Sequence, residues 1–135
     1  MKYVDTQTLP LIAASHEDPQ NPGVRKRVMA TRDDFQAGHV QMLNWAVLPI
    51  GSAFQRHYHE DMQEVFVLVR GSAEMRCGAN TISMKPGDAV FVDALEHHSM
   101  QNTGEIDVEY IVFGISAGRG GQTRMVSQEA DSNAG

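Results

Sequence analysis

Cysteine is almost absent from this chain, and several function classes go with it. Cys77 is the only one among 135 residues, so no intrachain disulfide can form and a thiolate-rich zinc or iron–sulfur site lacks its ligands. A lone cysteine fits a reducing compartment, and the chain is read as cytoplasmic. Long apolar runs are missing as well. No stretch approaches the ~18 residues of a membrane-spanning helix. Leu9 to Ser15 has the small residues of a leader's cleavage region, but its apolar part is short and Asp5 interrupts the approach. Basic residues are the minority, 11 Lys+Arg against 17 Asp+Glu for a formal charge of −6, which argues against a nucleic-acid surface. The one dense basic run, Arg25-Lys26-Arg27, reads as a solvated strand edge that discourages pairing with other chains. There is no Gly-x-Ser-x-Gly elbow, and no glycine-rich loop opens a helix, so side-chain nucleophile and nucleotide chemistry lose their usual scaffolds.

What the chain has is alternation and turns. Val40 to Leu48, Val65 to Val69, Ala73 to Cys77, Ala89 to Val92 and Asp107 to Ile115 read as strands. Turn residues recur between them about every eight to twelve positions, as in an all-β sandwich or barrel. Cys77 alternates with Ala73 and Met75 and is read as a small buried hydrophobe. The length suits one core. Three stretches are expected: an arm with edge strands over 1–31, a barrel over 32–117 and a flexible, glycine-rich polar tail over 118–135.

Chemistry concentrates between Gly51 and Gly71. On a strand, His57 and His59 point to one face, roughly 6–7 Å apart along it, within reach of one ion at about 2.0–2.2 Å per bond. Glu60 to Gln63 can turn the chain, so that Val65 to Val69 returns antiparallel and sets Glu64 opposite the two imidazoles. A fourth ligand is available from the second block, Gly87 to Asn102, which carries His97 and His98. His16 and His39 lie outside both blocks and are not assigned as ligands.

These two blocks resemble the two motifs of the cupin superfamily. The first matches Gly-x5-His-x-His-x4-Glu-x6-Gly at Gly51, His57, His59, Glu64 and Gly71. In the second, Gly87, His98 and Asn102 match, while Asp93 stands where proline is usual and Leu95 where glycine is usual. Counting from Gly87 and from Asn102 both select His98. The resemblance, over roughly residues 40–115, implies a small jelly-roll β-barrel (a double-stranded β-helix) with one divalent transition metal on His57, His59, Glu64 and His98. That donor set suits Fe, Mn, Ni, Cu or Zn without choosing among them.

Strand parity gives the expected surroundings. Gln55 shares the face of His57 and His59; Phe66 and Leu68 share that of Glu64; Met100 shares that of His98. These four are expected to line the pocket. Arg56, Tyr58 and His97 have outward parity. Asp93 either holds its turn or bonds a ligand histidine, and Trp45 is either a pocket wall or a core anchor. The functional expectation is a small-molecule protein with no nucleic-acid or membrane partner. It is a metal-dependent enzyme of dioxygenase, isomerase or decarboxylase type, as the resemblance implies, or a non-catalytic barrel holding a sugar- or acid-like ligand. Unpaired sheet edges and the long segment 1–31 further suggest a homodimer.

Overall fold

Frequent turns cut the chain into short strands, and the computed structural model, which describes residues 1–116 and 123–126, has eleven of them among the described residues. In chain order they are β1 (Ile12–Ala13), β2 (Arg25–Thr31), β3 (Val40–Leu48), β4 (His57–His59), β5 (Met62–Arg70) and β6 (Ala73–Cys77). β7 (Asn80–Met84), β8 (Ala89–Val92), β9 (His98–Asn102), β10 (Val108–Ser116) and β11 (Thr123–Met125) follow. They form two antiparallel sheets, ordered β1-β2-β3-β10-β5-β8 and β11-β4-β9-β6-β7. This is a jelly roll in which the two sheets do not close into a continuous barrel.

Alternation explains the core. Ala46 and Leu48 on β3, Phe66 and Leu68 on β5, and Val108, Tyr110 and Val112 on β10 are buried on one face of the first sheet. Ala73 and Met75 on β6, Met84 on β7 and Met100 on β9 are buried in the same cluster from the second. Met75 and Met100 are cross-strand partners. Their flexible thioethers fill space that branched side chains could not. Trp45 belongs to neither alternative expected of it. It has the opposite parity to Asn44 and Ala46, is only half-buried, and donates its Nε1–H to Glu109 Oε1 at 3.1 Å.

The expected hairpin over residues 57–70 does not form. β4 is hydrogen-bonded by β9 and β11, and β5 by β10 and β8, so the two lie in different sheets. The short link at residues 60–61 is a crossing between sheets. β5 has buried residues at 64, 65 and 66 and needs partners on both edges, which β4, three residues long, cannot supply. Gly71 ends β5 at φ 89°, in the left-handed region. A Cβ there would meet Val108 Cγ2 at 2.9 Å and the Asp107 carbonyl oxygen at 3.0 Å, so two independent constraints exclude a side chain.

The N-terminal segment folds back on its own chain. Ile12 pairs with Lys26 and Ala13 with Arg25, the Ala14 amide donates to the Val24 carbonyl at 3.2 Å, and Arg27 bonds the Leu9 carbonyl. β2 therefore sits one strand in from the edge. Most of the expected mobile tail lies outside the described residues. Residues 123–125 form β11, paired to β4 through Thr123–His59, Arg124–Tyr58 and Met125–His57.

Candidate metal centre

The crossing between sheets assembles the site. His57 and His59 project from β4, and His98, the register partner of His57, projects from β9 beside it. Glu64 comes from β5 in the facing sheet. All four side chains are buried, and one donor atom from each lies within 4.8 Å of all the others. Among the described residues this is the one such group. Glu64 Oε1 is 2.7 Å from His59 Nε2 and 3.0 Å from His98 Nε2.

The ring nitrogens show what this arrangement requires. His98 Nδ1 lies 3.0 Å from the Glu96 carbonyl and His57 Nδ1 lies 2.7 Å from the Gln55 carbonyl. A carbonyl only accepts, so both Nδ1 atoms donate, and in a neutral ring each Nε2 is left with a lone pair. The Nε2 lone pair of His98 then faces a carboxylate oxygen, which is repulsive unless a proton or cation lies between them. Two ligands at right angles on an ion with bonds of about 2.0–2.2 Å would be about 3 Å apart, as these atoms are. On β11, Thr123 Oγ1 lies 3.0 Å from His59 Nδ1. Each imidazole therefore has its far nitrogen engaged, the usual way a metal-binding histidine is oriented.

Electrostatics agree. Burial lowers the pKa of His57 to about 2, with His98 and His16 adding to the effect, so its ring is neutral and able to ligate. Burial alone would raise the Glu64 carboxyl, but His59 and His98, where they present a proton to it, hold the group well below the usual carboxylate range, so positive charge at this point is what the carboxylate demands. Cys77 is pushed up to about 11, first by burial and then by Glu96. It stays a thiol, inert as a nucleophile.

A cavity of about 230 Å³ opens beside the cluster. Phe66 lines it, as parity predicts, whereas Leu68 and Met100 do not. Those two are 1% exposed and sit in the apolar core further along their strands. Gln55 is exposed, and its backbone is what serves the site: the carbonyl orients His57 and the amide donates to Glu17 Oε2 at 3.2 Å. Asp93 holds its turn. Its amide donates to Glu96 Oε1 at 2.8 Å, a bond the usual proline could not make, and its Oδ1 accepts from Gln63 at 2.8 Å. His97 points outward and stacks on Tyr58 with ring centroids 4.6 Å apart. His39 is exposed.

Sequence reasoning missed most of the cavity lining, and three polar residues of it bear on the chemistry. His16 stacks on His57 with ring centroids 4.1 Å apart, and its Nε2 is buried without a partner. No motif marks it, because it arrives from the N-terminal loop. Asn44 is 6% exposed and leaves its Oδ1 equally unpartnered. Lys26, read as part of a solvated edge, lines the cavity. Its parity with Val24, which is 1% exposed, was the available signal.

Comparison with known proteins follows the same lines. The cupin domain family model matches residues 44–114. An oxalate-binding protein of Thermotoga maritima is 34% identical over 64 residues, 47% of this chain and 53% of that protein. An uncharacterised protein of Methanocaldococcus jannaschii is 24% identical over 74 residues, 55% of this chain and 59% of that protein. The chain thus spans little more than half the length of these curated relatives. Among solved structures, one described as a predicted oxalate decarboxylase of T. maritima aligns with a TM-score of 0.76 and 23% identity, over 85% of this chain and 99% of that one. The polyketide cyclase RemF of Streptomyces resistomycificus aligns with a TM-score of 0.74 and 17% identity, over 98% and 91%. At such identities these likenesses speak for the fold. Because the family's own pattern runs through more than half of the chain and its two motifs meet at one buried cluster, this chain belongs to the cupin family.

Proposed function

We propose that the protein binds a small carboxylic acid at one divalent transition metal held by His57, His59, Glu64 and His98. The observation that carries this reading is the cluster of four buried donor atoms with the far nitrogen of every imidazole engaged. The cavity beside it is small, and Phe54, Phe66 and Val112 give it apolar walls. An acid ligand is supported by the relative named for oxalate binding. When bound, the ion would supply a Lewis acid for an oxygen ligand, with one-electron chemistry if it is redox-active. The chain's own part is to hold the donors in place and exclude bulk water.

Metal analysis of protein purified without added metal tests this, together with calorimetric titration of oxalate. One ion per chain is expected, with metal content near zero in His57→Ala/His59→Ala, and oxalate should bind only to metal-loaded protein. Full metal occupancy in the double variant would refute the assignment.

A catalytic reading is favoured by one feature, the unpartnered Nε2 of His16 against the ligand histidine His57. Such a nitrogen can donate to, or accept from, a bound acid, as lyase, isomerase or dioxygenase chemistry requires. A panel of small acids assayed under air and under nitrogen, with iron-, manganese- and zinc-loaded protein, separates the readings. Turnover that survives complete metal removal would exclude a metal-dependent enzyme.

A further inference from the structure

The cavity has a second charged pole. Lys26 on β2 is half-buried, lines the cavity and donates to Ser15 Oγ at 2.8 Å. Its register partners are Ala46 on β3, which also lines the cavity, and Ile12 on β1. Burial depresses the Lys26 ammonium, and its charge acts on His16 beside the cluster. Among the described residues, Lys26 is the only lysine or arginine lining this cavity and Glu64 the only carboxylate. Glu64 is committed to the cluster.

Charge then decides the ligand. A divalent ion brings two positive charges, Lys26 adds one, and Glu64 removes one. Two remain uncompensated in a cavity with apolar walls, where uncompensated charge is costly. The unpartnered Nε2 of His16 and the amide of Asn44 border the same space and can hydrogen-bond an oxygen-rich ligand. We propose that Lys26 is the specificity residue of this cavity and selects a short dicarboxylate, one carboxylate at the metal cluster and the other at the Lys26 ammonium. The basic run Arg25-Lys26-Arg27 thus divides by parity into one residue that lines the cavity and two that do not.

This inference rests on the cluster being a metal site, and the experiment separates the two. Full-length protein loaded with Zn²⁺ is titrated calorimetrically with malonate, succinate and their monomethyl esters, and metal content is measured before and after. The expected result is that at least one diacid binds about tenfold or more tightly than its ester. In Lys26→Met that ratio should collapse towards one with metal content and ester affinity unchanged. Equal affinity for diacid and ester in the wild-type protein, or a ratio that survives Lys26→Met, would overturn the proposal while leaving the metal site standing. Failure to retain zinc would overturn the metal reading, and this one with it.

Discussion

Asn102 shows how a motif residue can matter without touching the site. It is 3% exposed and fully used. Its Nδ2 donates to the Leu48 and Ile106 carbonyls at 3.0 and 2.8 Å, and its Oδ1 accepts from the Gly104 amide at 2.9 Å. It ties the turn after β9 to the end of β3. Asn102→Leu removes all three bonds and leaves the partner groups unpaired, so it should destabilise the fold by about 2–4 kcal/mol. Urea denaturation reads this directly, and the folded fraction should keep its metal. A loss below about 0.5 kcal/mol would show that water replaces the amide. The other motif residues were legible because each has a single physical demand: donor atoms at 57, 59, 64 and 98, and a side-chain-free position at Gly71. His16 and Asn44 were not, since their importance lies in what they face, and facing is a tertiary property.

Among the elements, the turn from Asp93 to His98 departs most from the family pattern. Leu95 has φ 72° where glycine is usual, and its amide donates to the His59 carbonyl at 2.7 Å. That bond fastens the turn to β4 beside the ligands, so the departure keeps the geometry and bears the conformational cost. A left-handed L-residue costs about 1–2 kcal/mol, and glycine's extra freedom in the unfolded chain returns part of that. Because Leu95 is 63% exposed, Leu95→Gly should stabilise the protein by about 0.5–1 kcal/mol, seen as a raised denaturant midpoint. A lowered midpoint would mean that the Leu95 side chain contributes more than its backbone costs. The strands themselves were readable from alternation, but their partners were not. Residues 60–61 turn the chain equally well within one sheet or between two, and only the demand of β5 for neighbours on both edges decides.

For the whole molecule, the buried imidazoles set a pH dependence. His16 and His57 ordinarily titrate at 6.5 but are lowered to about 4 and about 2, each chiefly by burial. Between those values and 6.5 the unfolded chain binds protons that the folded chain refuses, so stability falls as the solution is acidified. The contribution is complete above 6.5 and is lost on the way down to the folded values. Glu64, held low, acts in the same direction below its ordinary 4.5. Metal-free protein should lose about 2–4 kcal/mol between pH 7.5 and pH 5, measured as urea midpoints in the presence of a chelator. A stability that is flat across that interval would contradict the burial of these rings.

The origin of Glu64 in the sheet facing the histidines has a consequence in time. An unfolded chain offers an ion at most the local group His57, His59 and Glu64, because His98 lies 34 positions beyond Glu64 and joins the others only when β9 lies beside β4 and both sheets are in place. Loop closure on that scale comes late in folding. An ion that gains its remaining ligands after the transition state cannot hasten folding, but it must leave before the sheets part. Added zinc should therefore leave the refolding limb of a denaturant chevron unchanged and depress the unfolding limb. Faster refolding with zinc would place the sheet crossing early instead. On this view the ion works as a rivet set after the plates have been brought together, and it governs how long the fold lasts.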